Sequence, residues 1–396
     1  MKLDSPRLPV HYVSDLQQLD QLVLSLTGVS RIGLDAERAS GFRYSQRAYL
    51  IQIATATDIY LVDTAALSEL NPEWPLPLAK AMHSMTWLLH AATQDLPCLA
   101  ELGIFPTQII DTELGSRLAG LERVGLGSIA LELLGIELAK EHSAADWSAR
   151  PLSPEMLDYA ALDVDVMFEL WEKLEALLSE QGKLDWAMQE FAHLVSFKPK
   201  PQLPEPWRNL PGVSKVKDLS KIKIAASLWL ARDAIARETD VAPGRLIPDR
   251  SIVAVVEHPP KSKSELASNK AFQGRASRSM LEIWWQAIVD SKDLDVELAP
   301  KEKGNGIPSH RSWEKRFPEA HRRLDVTRPL ILALSQELKI PAENLLTPDT
   351  LRRVCFEPGL DIAAQLSNLG ARPWQIELVA ELISSGFERA ALPQEA

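Results

Sequence analysis

The strongest constraint on the fold is a change in hydrophobic pattern close to residue 197. Before it, short β-rich apolar runs alternate with segments of helical periodicity. The runs predict strands at 30–35, 48–55, 58–63, 87–90 and 108–111. The helical segments predict helices at 76–82, 95–102, 112–118, 128–134 and from 154 to about 178. Only Ala56 and Thr57 separate the second and third strands, which predicts an antiparallel hairpin. The pattern therefore indicates a mixed α/β sheet flanked by helices.

A proline-rich segment follows, and then the pattern is helical throughout. Because proline fixes φ and favours extended chain, 197–206 is predicted to be a semi-rigid linker. The predicted helices are 220–239, 252–257, a short one after Ser262, 279–291, 313–327, 328–338, 347–356, 361–368 and 373–385. The expected organisation is an α/β domain (1–196), the linker, a helical domain (207–292), a second linker (293–308) and a second helical domain (309–396).

The two helical domains share one order of features. Each has an arginine-bearing helix, then a turn at Pro243 or Pro341, then a short helix led by an acid. This order suggests a divergent internal repeat, and the alternative is a coincidence between two helical bundles.

Charge is unevenly distributed along the chain, whose net charge is −11. Residues 1–200 carry −13, 207–290 carry +5 and 291–396 carry −2. The acidic first half argues against simple electrostatic binding of nucleic acid, whereas the basic middle could bind a phosphate backbone, unless the asymmetry is chance.

No apolar run reaches about 18 residues and no secretory signal is evident, so no membrane span is expected. Cys98 and Cys355 lack metal-ligand spacing, and a reducing cytoplasm fits.

Four acids and a tyrosine, far apart in sequence, lie at the ends of apolar runs or on helix faces. Asp35 and Glu37 are two apart at the end of a predicted strand, so they point to one face. Asp95 begins a predicted helix, and Tyr159 and Asp163 share a helix face because they are four apart. Carboxylates that converge with few imidazoles indicate hard cations, Mg²⁺ or Mn²⁺, and two such ions are typical of phosphodiester cleavage.

The combination resembles the ribonuclease D family, within the tyrosine-type DEDD exonucleases. The resemblance covers about residues 10–195. It rests on Leu34-Asp35-Ala36-Glu37, Ala48-Tyr49-Leu50-Ile51-Gln52-Ile53-Ala54, His90-Ala91-Ala92-Thr93-Gln94-Asp95-Leu96, Ile110-Asp111-Thr112, Ala145-Asp146-Trp147-Ser148-Ala149-Arg150-Pro151-Leu152 and Tyr159-Ala160-Ala161-Leu162-Asp163-Val164.

The resemblance implies a ribonuclease-H-like fold and 3′→5′ exonucleolysis with two divalent metal ions. Carried onto this chain, Asp35, Glu37, Asp95 and Asp163 would be the metal ligands, with Asp35 bridging both ions, and Tyr159 would orient the attacking water. One ion would activate that water and the other would stabilise the leaving 3′-oxygen. The products would be nucleoside 5′-monophosphates.

The first motif departs from the family pattern. The family often has Asp-Thr-Glu-Phe, whereas this chain has Asp35-Ala36-Glu37-Arg38. The ligands are intact, but Arg38 can pair with phosphate where phenylalanine would stack, which affects how the terminal base or ribose is held.

Four residues are candidates for substrate binding: Arg38, His90, Trp147 and Arg150. His90 could contact phosphate or pack behind the ligands. Trp147 and Arg150 could tie down the loop before the Tyr159 helix or reach a substrate phosphate. Asp111 is interpreted as a cap of the following helix or a structural acid rather than a fifth ligand.

Residues 207–290 resemble an HRDC domain, a helical module that ribonuclease D shares with RecQ-type helicases, which implies contact with nucleic acid. The resembling residues are Leu228, Arg232, Ala236, Pro243, Ile247-Pro248-Asp249 and Glu265-Leu266. Two basic runs accompany them, at 215–223 and 261–278. Trp284 and Trp285 could stack on bases, although neighbours on a helix face different ways, so one is expected in the core.

The expected function is that of a cytoplasmic, metal-dependent 3′→5′ exoribonuclease. It would bind single-stranded 3′ ends of RNA and trim tRNA or other structured precursors, with no membrane and no obligate protein partner. The alternatives are a 3′→5′ exonuclease acting on DNA, since the same site cleaves either backbone, and a non-catalytic RNA-binding protein with an inactive core. All five site residues are present, which argues against the last.

Overall fold

A computed structural model describes residues 1–139, 145–199, 201, 204–298 and 306–392. Parts of the two predicted linkers, 200, 202–203 and 299–305, lie outside the described residues. The strands are β1 (Lys2–Leu3), β2 (Val10–Val13), β3 (Arg31–Arg38), β4 (Ala48–Ala54), β5 (Ile59–Asp63), β6 (Thr86–Leu89), β7 (Gln108–Asp111) and β8 (Glu137–Leu138). Six of them form the main sheet, in the order β2-β5-β4-β3-β6-β7.

The sheet is mixed, as predicted. The pairs β3–β4 and β4–β5 are antiparallel, and β2–β5, β3–β6 and β6–β7 are parallel. The register between β3 and β4 shifts because Glu37 faces Leu50 while Arg38 faces Ala48, which leaves Tyr49 as an extra residue, a β-bulge. The Tyr49 carbonyl accepts from Arg150, and its hydroxyl donates to Asp240.

Helices cover the sheet in the α/β region, which we define as residues 1–199. They are α1 (Leu16–Ser25), α2 (Thr64–Leu70), α3 (Pro75–Met82), α4 (Leu96–Glu101), α5 (Thr112–Leu118), α6 (Leu126–Ile129), α7 (Pro154–Asp165), α8 (Met167–Glu180) and α9 (Leu184–Leu194). Strand β4 is buried along its whole length, so it lies at the centre of the core. The fully buried Trp87 and Trp171 pack on the two faces of the sheet.

The rest of the described chain is helical. The central helical region (204–298) contains α10 (Leu219–Thr239), α11 (Pro243–Leu246), α12 (Asp249–Glu257), α13 (Lys263–Ser268), α14 (Arg275–Ser279) and α15 (Leu281–Asp290). The C-terminal helical region (306–392) contains α16 (Trp313–Arg316), α17 (Pro318–Glu337), α18 (Ala342–Leu345), α19 (Pro348–Phe356), α20 (Ile362–Asn368) and α21 (Pro373–Ala391). No helix among the described residues is long and apolar enough to cross a membrane.

The two helical regions repeat one arrangement. A helix of 21 or 20 residues (α10, α17) precedes a four-residue helix (α11, α18) and a nine-residue helix (α12, α19). Asp240 and Lys339, which follow the long helices, both have positive φ, of 48° and 53°. This agreement supports the predicted internal repeat.

Two predictions of local structure were wrong, and several elements were not predicted. The helix predicted from 154 to about 178 is two helices, α7 and α8, that meet at Val166. The break predicted before Pro329 is absent, because α17 runs through it and packs against α21, with Thr327 against Gly386 and Ile331 buried. The elements of the α/β region that were not predicted are strands β1, β2 and β8 and helices α1, α2 and α9.

The C-terminal helical region docks on the α/β region through buried polar contacts. The Lys183 ammonium donates to the carbonyls of Leu118 at 2.9 Å and Leu338 at 2.7 Å. The Glu190 carboxylate accepts from the guanidinium of Arg372 and the indole of Trp374. Because each buried polar group finds its partner across the contact, these elements have one defined relative position.

Candidate active site

Two carboxylates enter the site from one strand. Asp35 and Glu37 lie on β3 two residues apart, so both side chains point to the same face of the sheet. Asp163 reaches them from α7, whose N-terminus is capped by the Ser153 side chain. Ligand oxygens of the three carboxylates lie within 4.8 Å of one another, and all three side chains are partly buried. Three of the four predicted ligands therefore converge, and Asp95 lies outside this group of three.

The fourth carboxylate is held by the loop after β6. Ala91 has a φ of 60°, and its N–H and that of Ala92 donate to the Asp111 carboxylate. Asp111 also accepts from the first turn of α5, so its predicted role as a helix cap is confirmed. The loop places Asp95, which is 4% exposed, next to Asp35. Burial, followed by the charge of Asp35, raises the pKa of Asp95 well above its ordinary value.

Tyr159 lies one turn before Asp163 on α7, and the two side chains interact through a hydrogen bond. Its ring centroid is 6.3 Å from that of Trp147, which is buried. Burial, followed by the charges of Asp163 and Glu37, raises the pKa of the Tyr159 phenol. The hydroxyl therefore stays protonated at neutral pH, where it can both donate and accept.

Each carboxylate of the cluster destabilises the ionised form of its neighbours. Burial, followed by repulsion from Asp35 and Asp163, raises the pKa of Glu37 to about 10. Burial and the Asp35 charge raise the pKa of Asp163 well above its ordinary value, and burial raises that of Asp35. Such a cluster is stabilised by a cation that shares the oxygens. The donor set, oxygen only and closely spaced, fits hard divalent cations.

A cleft of about 610 Å³ opens over the carboxylates. Arg38 lines it, and its positive charge partly opposes the rise in the pKa values of Asp35 and Glu37 that burial causes. His90 also lines it, with Nδ1 at 3.0 Å from Thr112 Oγ1. Burial lowers the pKa of His90 to about 4, so its imidazole is neutral at physiological pH and brings no positive charge to a phosphate. Among the described residues that line the cleft, Arg38 is the cation available to a phosphate.

Trp147 and Arg150 lie behind the cleft rather than in its lining. Arg150 forms a two-point ion pair with Asp63, at 2.6 and 2.7 Å, and also donates to the carbonyls of Trp147, Ala149 and Tyr49. With each guanidinium nitrogen bonded to the protein, Arg150 ties the loop before α7 to the sheet.

Several residues of the cleft were not predicted. Ser40, Gly41 and Phe42 form part of its wall immediately after β3, and Gln94 and Glu113 contribute from the loops beside Asp95 and Asp111. The only signal for Phe42 in the sequence is an aromatic residue beside a glycine, a few positions after the first two ligands. In the central helical region, Trp284 is buried and Trp285 half-buried, which confirms that one of the pair belongs to the core.

Three family models match the chain. Residues 10–179 match a 3′-5′ exonuclease, 222–288 match an HRDC domain and 306–387 match a 3′ to 5′ exonuclease C-terminal domain. The matches follow the α/β, central helical and C-terminal helical regions in order.

Known proteins are similar over most of the chain. Ribonuclease D of Gluconacetobacter diazotrophicus is 27% identical, over 88% of this chain and 87% of its own. Ribonuclease D of Nitrobacter hamburgensis is 23% identical, over 93% of each. A crystal structure of a protein from Bifidobacterium adolescentis is 33% identical with a TM-score of 0.89, over 98% of this chain and 99% of that one.

Escherichia coli RNase D, described as an exoribonuclease involved in structured RNA processing, shares the fold. Its TM-score is 0.68 at 22% identity, over 96% of this chain and 99% of that one. The resemblance seen in the sequence is thus confirmed by domain models, relatives and fold together, and by the acidic cluster that a metal-dependent nuclease needs. The chain belongs to the ribonuclease D family of 3′–5′ exoribonucleases.

Proposed function

We propose that the protein removes nucleotides one at a time from single-stranded 3′ ends of RNA and releases nucleoside 5′-monophosphates. The observation that carries this proposal is the convergence of Asp35, Glu37 and Asp163 within 4.8 Å, beside Asp95 and Tyr159 in one cleft. The relatives named ribonuclease D support RNA as the substrate. Trimming of tRNA or other structured precursors follows from the same resemblance.

Two divalent ions, Mg²⁺ or Mn²⁺, are the proposed cofactors. Asp35, Glu37, Asp95 and Asp163 would hold them. Bound there, they would supply an activated water and charge stabilisation for the leaving 3′-oxygen. Their charge would also keep the four carboxylates ionised.

The remaining residues bind and orient. The protonated Tyr159 hydroxyl accepts or donates a hydrogen bond beside Asp163, which suits it to orient the attacking water. Arg38, which lines the cleft, would pair with a phosphate of the terminal nucleotides. His90, as a neutral imidazole, can exchange a hydrogen bond with the nucleotide but adds no charge. Trp147 and Arg150 act by fixing the Tyr159 helix and its loop.

The helical regions would bring RNA to this cleft. The exposed Lys215, Lys217 and Arg275 belong to the two basic runs and could bind phosphates.

Cys98 and Cys355 are both free and buried, which supports a reducing compartment, the cytoplasm. DNA is the second candidate substrate, because phosphodiester cleavage at this site needs no 2′-hydroxyl.

The test uses 3′-labelled single-stranded RNA and DNA with Mg²⁺ or Mn²⁺. We expect metal-dependent release of labelled mononucleotide from RNA and its loss in Asp35→Asn. Asp158→Asn, an exposed acid on the same helix as Tyr159 and Asp163, is the matched control and should retain activity. No release from either polymer would refute the enzyme. Equal rates on both polymers would favour a nuclease that does not distinguish the sugars.

A further inference from the structure

The loop between β3 and β4 is shared between the active site and the central helical region. Ser40, Gly41 and Phe42, the first part of this loop, line the cleft that holds the carboxylates. The loop follows directly on Arg38, the last residue of the strand that carries Asp35 and Glu37. Any element that fixes the loop therefore also shapes the space in which the terminal nucleotide would lie.

The residues that fix the loop come from the turn after α10. The N–H of Ala242 donates to the Phe42 carbonyl at 3.0 Å, and the Asp240 carboxylate accepts from the N–H of Ser45 at 2.8 Å. Arg245 donates through Nε to the Gly41 carbonyl at 2.7 Å. These bonds join positions far apart in sequence, with a separation of 204 residues between the partners of the bond from Arg245 to Gly41.

Arg245 also contacts the aromatic ring directly. Its Cζ lies 4.0 Å from the centroid of the Phe42 ring, inside the distance for a cation–π contact. The guanidinium is thus held at two points, by the Gly41 carbonyl through Nε and by the ring face. This arrangement restricts the orientation of the Phe42 ring, and Phe42 is a half-buried residue of the cleft wall.

A planar aromatic ring beside a nuclease centre has a chemical use. Every nucleobase has a π face, so a base can stack on such a ring without a requirement for sequence. A guanidinium against the same ring limits its rotation, which lowers the entropic cost of ordering it when a base arrives.

We propose that Phe42 stacks on the nucleobase of the terminal nucleotide and that Arg245, from the central helical region, is the positioning residue that orients Phe42. This inference rests on the proposed function, since it places the 3′ end of a nucleic acid in the cleft. It assigns the central helical region a part in building the active site, in addition to any binding of RNA elsewhere on its surface.

The test measures stacking separately from cleavage. An oligoribonucleotide ending in 2-aminopurine riboside is bound to the full-length chain that carries Asp35→Asn, so that the probe remains intact. Stacking on Phe42 quenches the fluorescence of 2-aminopurine. We expect quenching with Phe42 present and its loss in Phe42→Ala and Phe42→Leu. The leucine variant keeps much of the side-chain volume without the ring, and it serves if the alanine variant folds poorly.

A second substrate separates stacking from a structural effect. Phe42→Ala should weaken binding of an intact 3′ end by roughly tenfold, the factor expected for one base–aromatic stack. It should leave binding of the same RNA with an abasic terminal ribose unchanged. An equal loss for both RNAs would refute stacking, and so would unaltered quenching.

Arg245 is tested in the same way, with kinetics added. Arg245→Ala should reduce the quenching and raise KM more than it lowers kcat, and Arg245→Lys should restore part of both. Arg250→Ala, which changes an exposed arginine on the neighbouring α12, should behave as the parent chain. Unchanged quenching and KM in Arg245→Ala would refute the positioning role. A chain that quenches the probe but cleaves no RNA would instead refute the proposed function.

Discussion

Replacing Gly120 by alanine should loosen the C-terminal helical region from the α/β region. Gly120 has a φ of +81°, and a Cβ there would lie 2.5 Å from the backbone oxygen of Lys339. Gly28 is the matched control, because its φ is +82° and a Cβ there would meet nothing within 4 Å. The two substitutions therefore share the backbone strain and differ only in the contact with Lys339.

The magnitudes follow from these two contributions. Left-handed backbone costs an L-residue about 1–2 kcal/mol, which is the expected loss in the free energy of unfolding for Gly28→Ala. Overpacking against a backbone atom adds about 1–3 kcal/mol, so Gly120→Ala should lose roughly 2–5 kcal/mol.

Two measurements address this difference. Urea unfolding followed by tryptophan fluorescence reports on the docked surface, since Trp186 and Trp374 stack there with ring centroids 5.0 Å apart. Hydrogen exchange of α18 should accelerate in Gly120→Ala and stay unchanged in Gly28→Ala. Equal losses of stability in the two variants, with unchanged exchange of α18, would refute the docking of Lys339 on Gly120.

Three further perturbations test other contacts. Lys183→Met removes the ammonium that bonds the carbonyls of Leu118 and Leu338, and should cost about 1–3 kcal/mol in urea unfolding; an unchanged midpoint would contradict it. Burial lowers the pKa of His90 to about 4 in the folded protein, whereas an unfolded chain has a histidine pKa of about 6.5. As the pH falls below about 6.5, the imidazole is protonated in the unfolded chain but not in the folded one, so the free energy of unfolding decreases. His90→Gln should therefore lessen the loss between pH 7 and 4.5 by up to about 3 kcal/mol, as measured by urea titration at both values. Arg150→Lys should lower stability by about 1–3 kcal/mol while kcat of the folded protein stays near wild type, because lysine cannot form the two-point pair; a selective fall in kcat would point to a substrate contact instead.

The site was predictable where its residues depend on local geometry. Asp35 and Glu37 share a face because strands alternate, and Tyr159 and Asp163 share one because helices repeat near every fourth residue. Motif resemblance then brought Asp95 to the same point, which spacing alone does not determine.

The parts that were not predicted depend on distant contacts. Pro329 predicts a helix end locally, yet α17 continues through it and packs against α21, where Thr327 contacts Gly386. The relation between Phe42 and Arg245 is likewise absent from local pattern, because it exists only once α10 and its turn dock beside β3. The sequence around Arg150 does not indicate whether its guanidinium binds Asp63 or a substrate phosphate, because Asp63 is distant in sequence.

The bulge at Tyr49 has a consequence for how relatives of this chain diverge. Its carbonyl is free of the sheet ladder and is used by Arg150, while its hydroxyl reaches Asp240. One inserted residue thus connects its own strand to two segments that lie 101 and 191 residues further along the chain. We expect homologues that lose the bulge to change at positions 150 and 240 together, so that the insertion and its two partners are inherited as a unit.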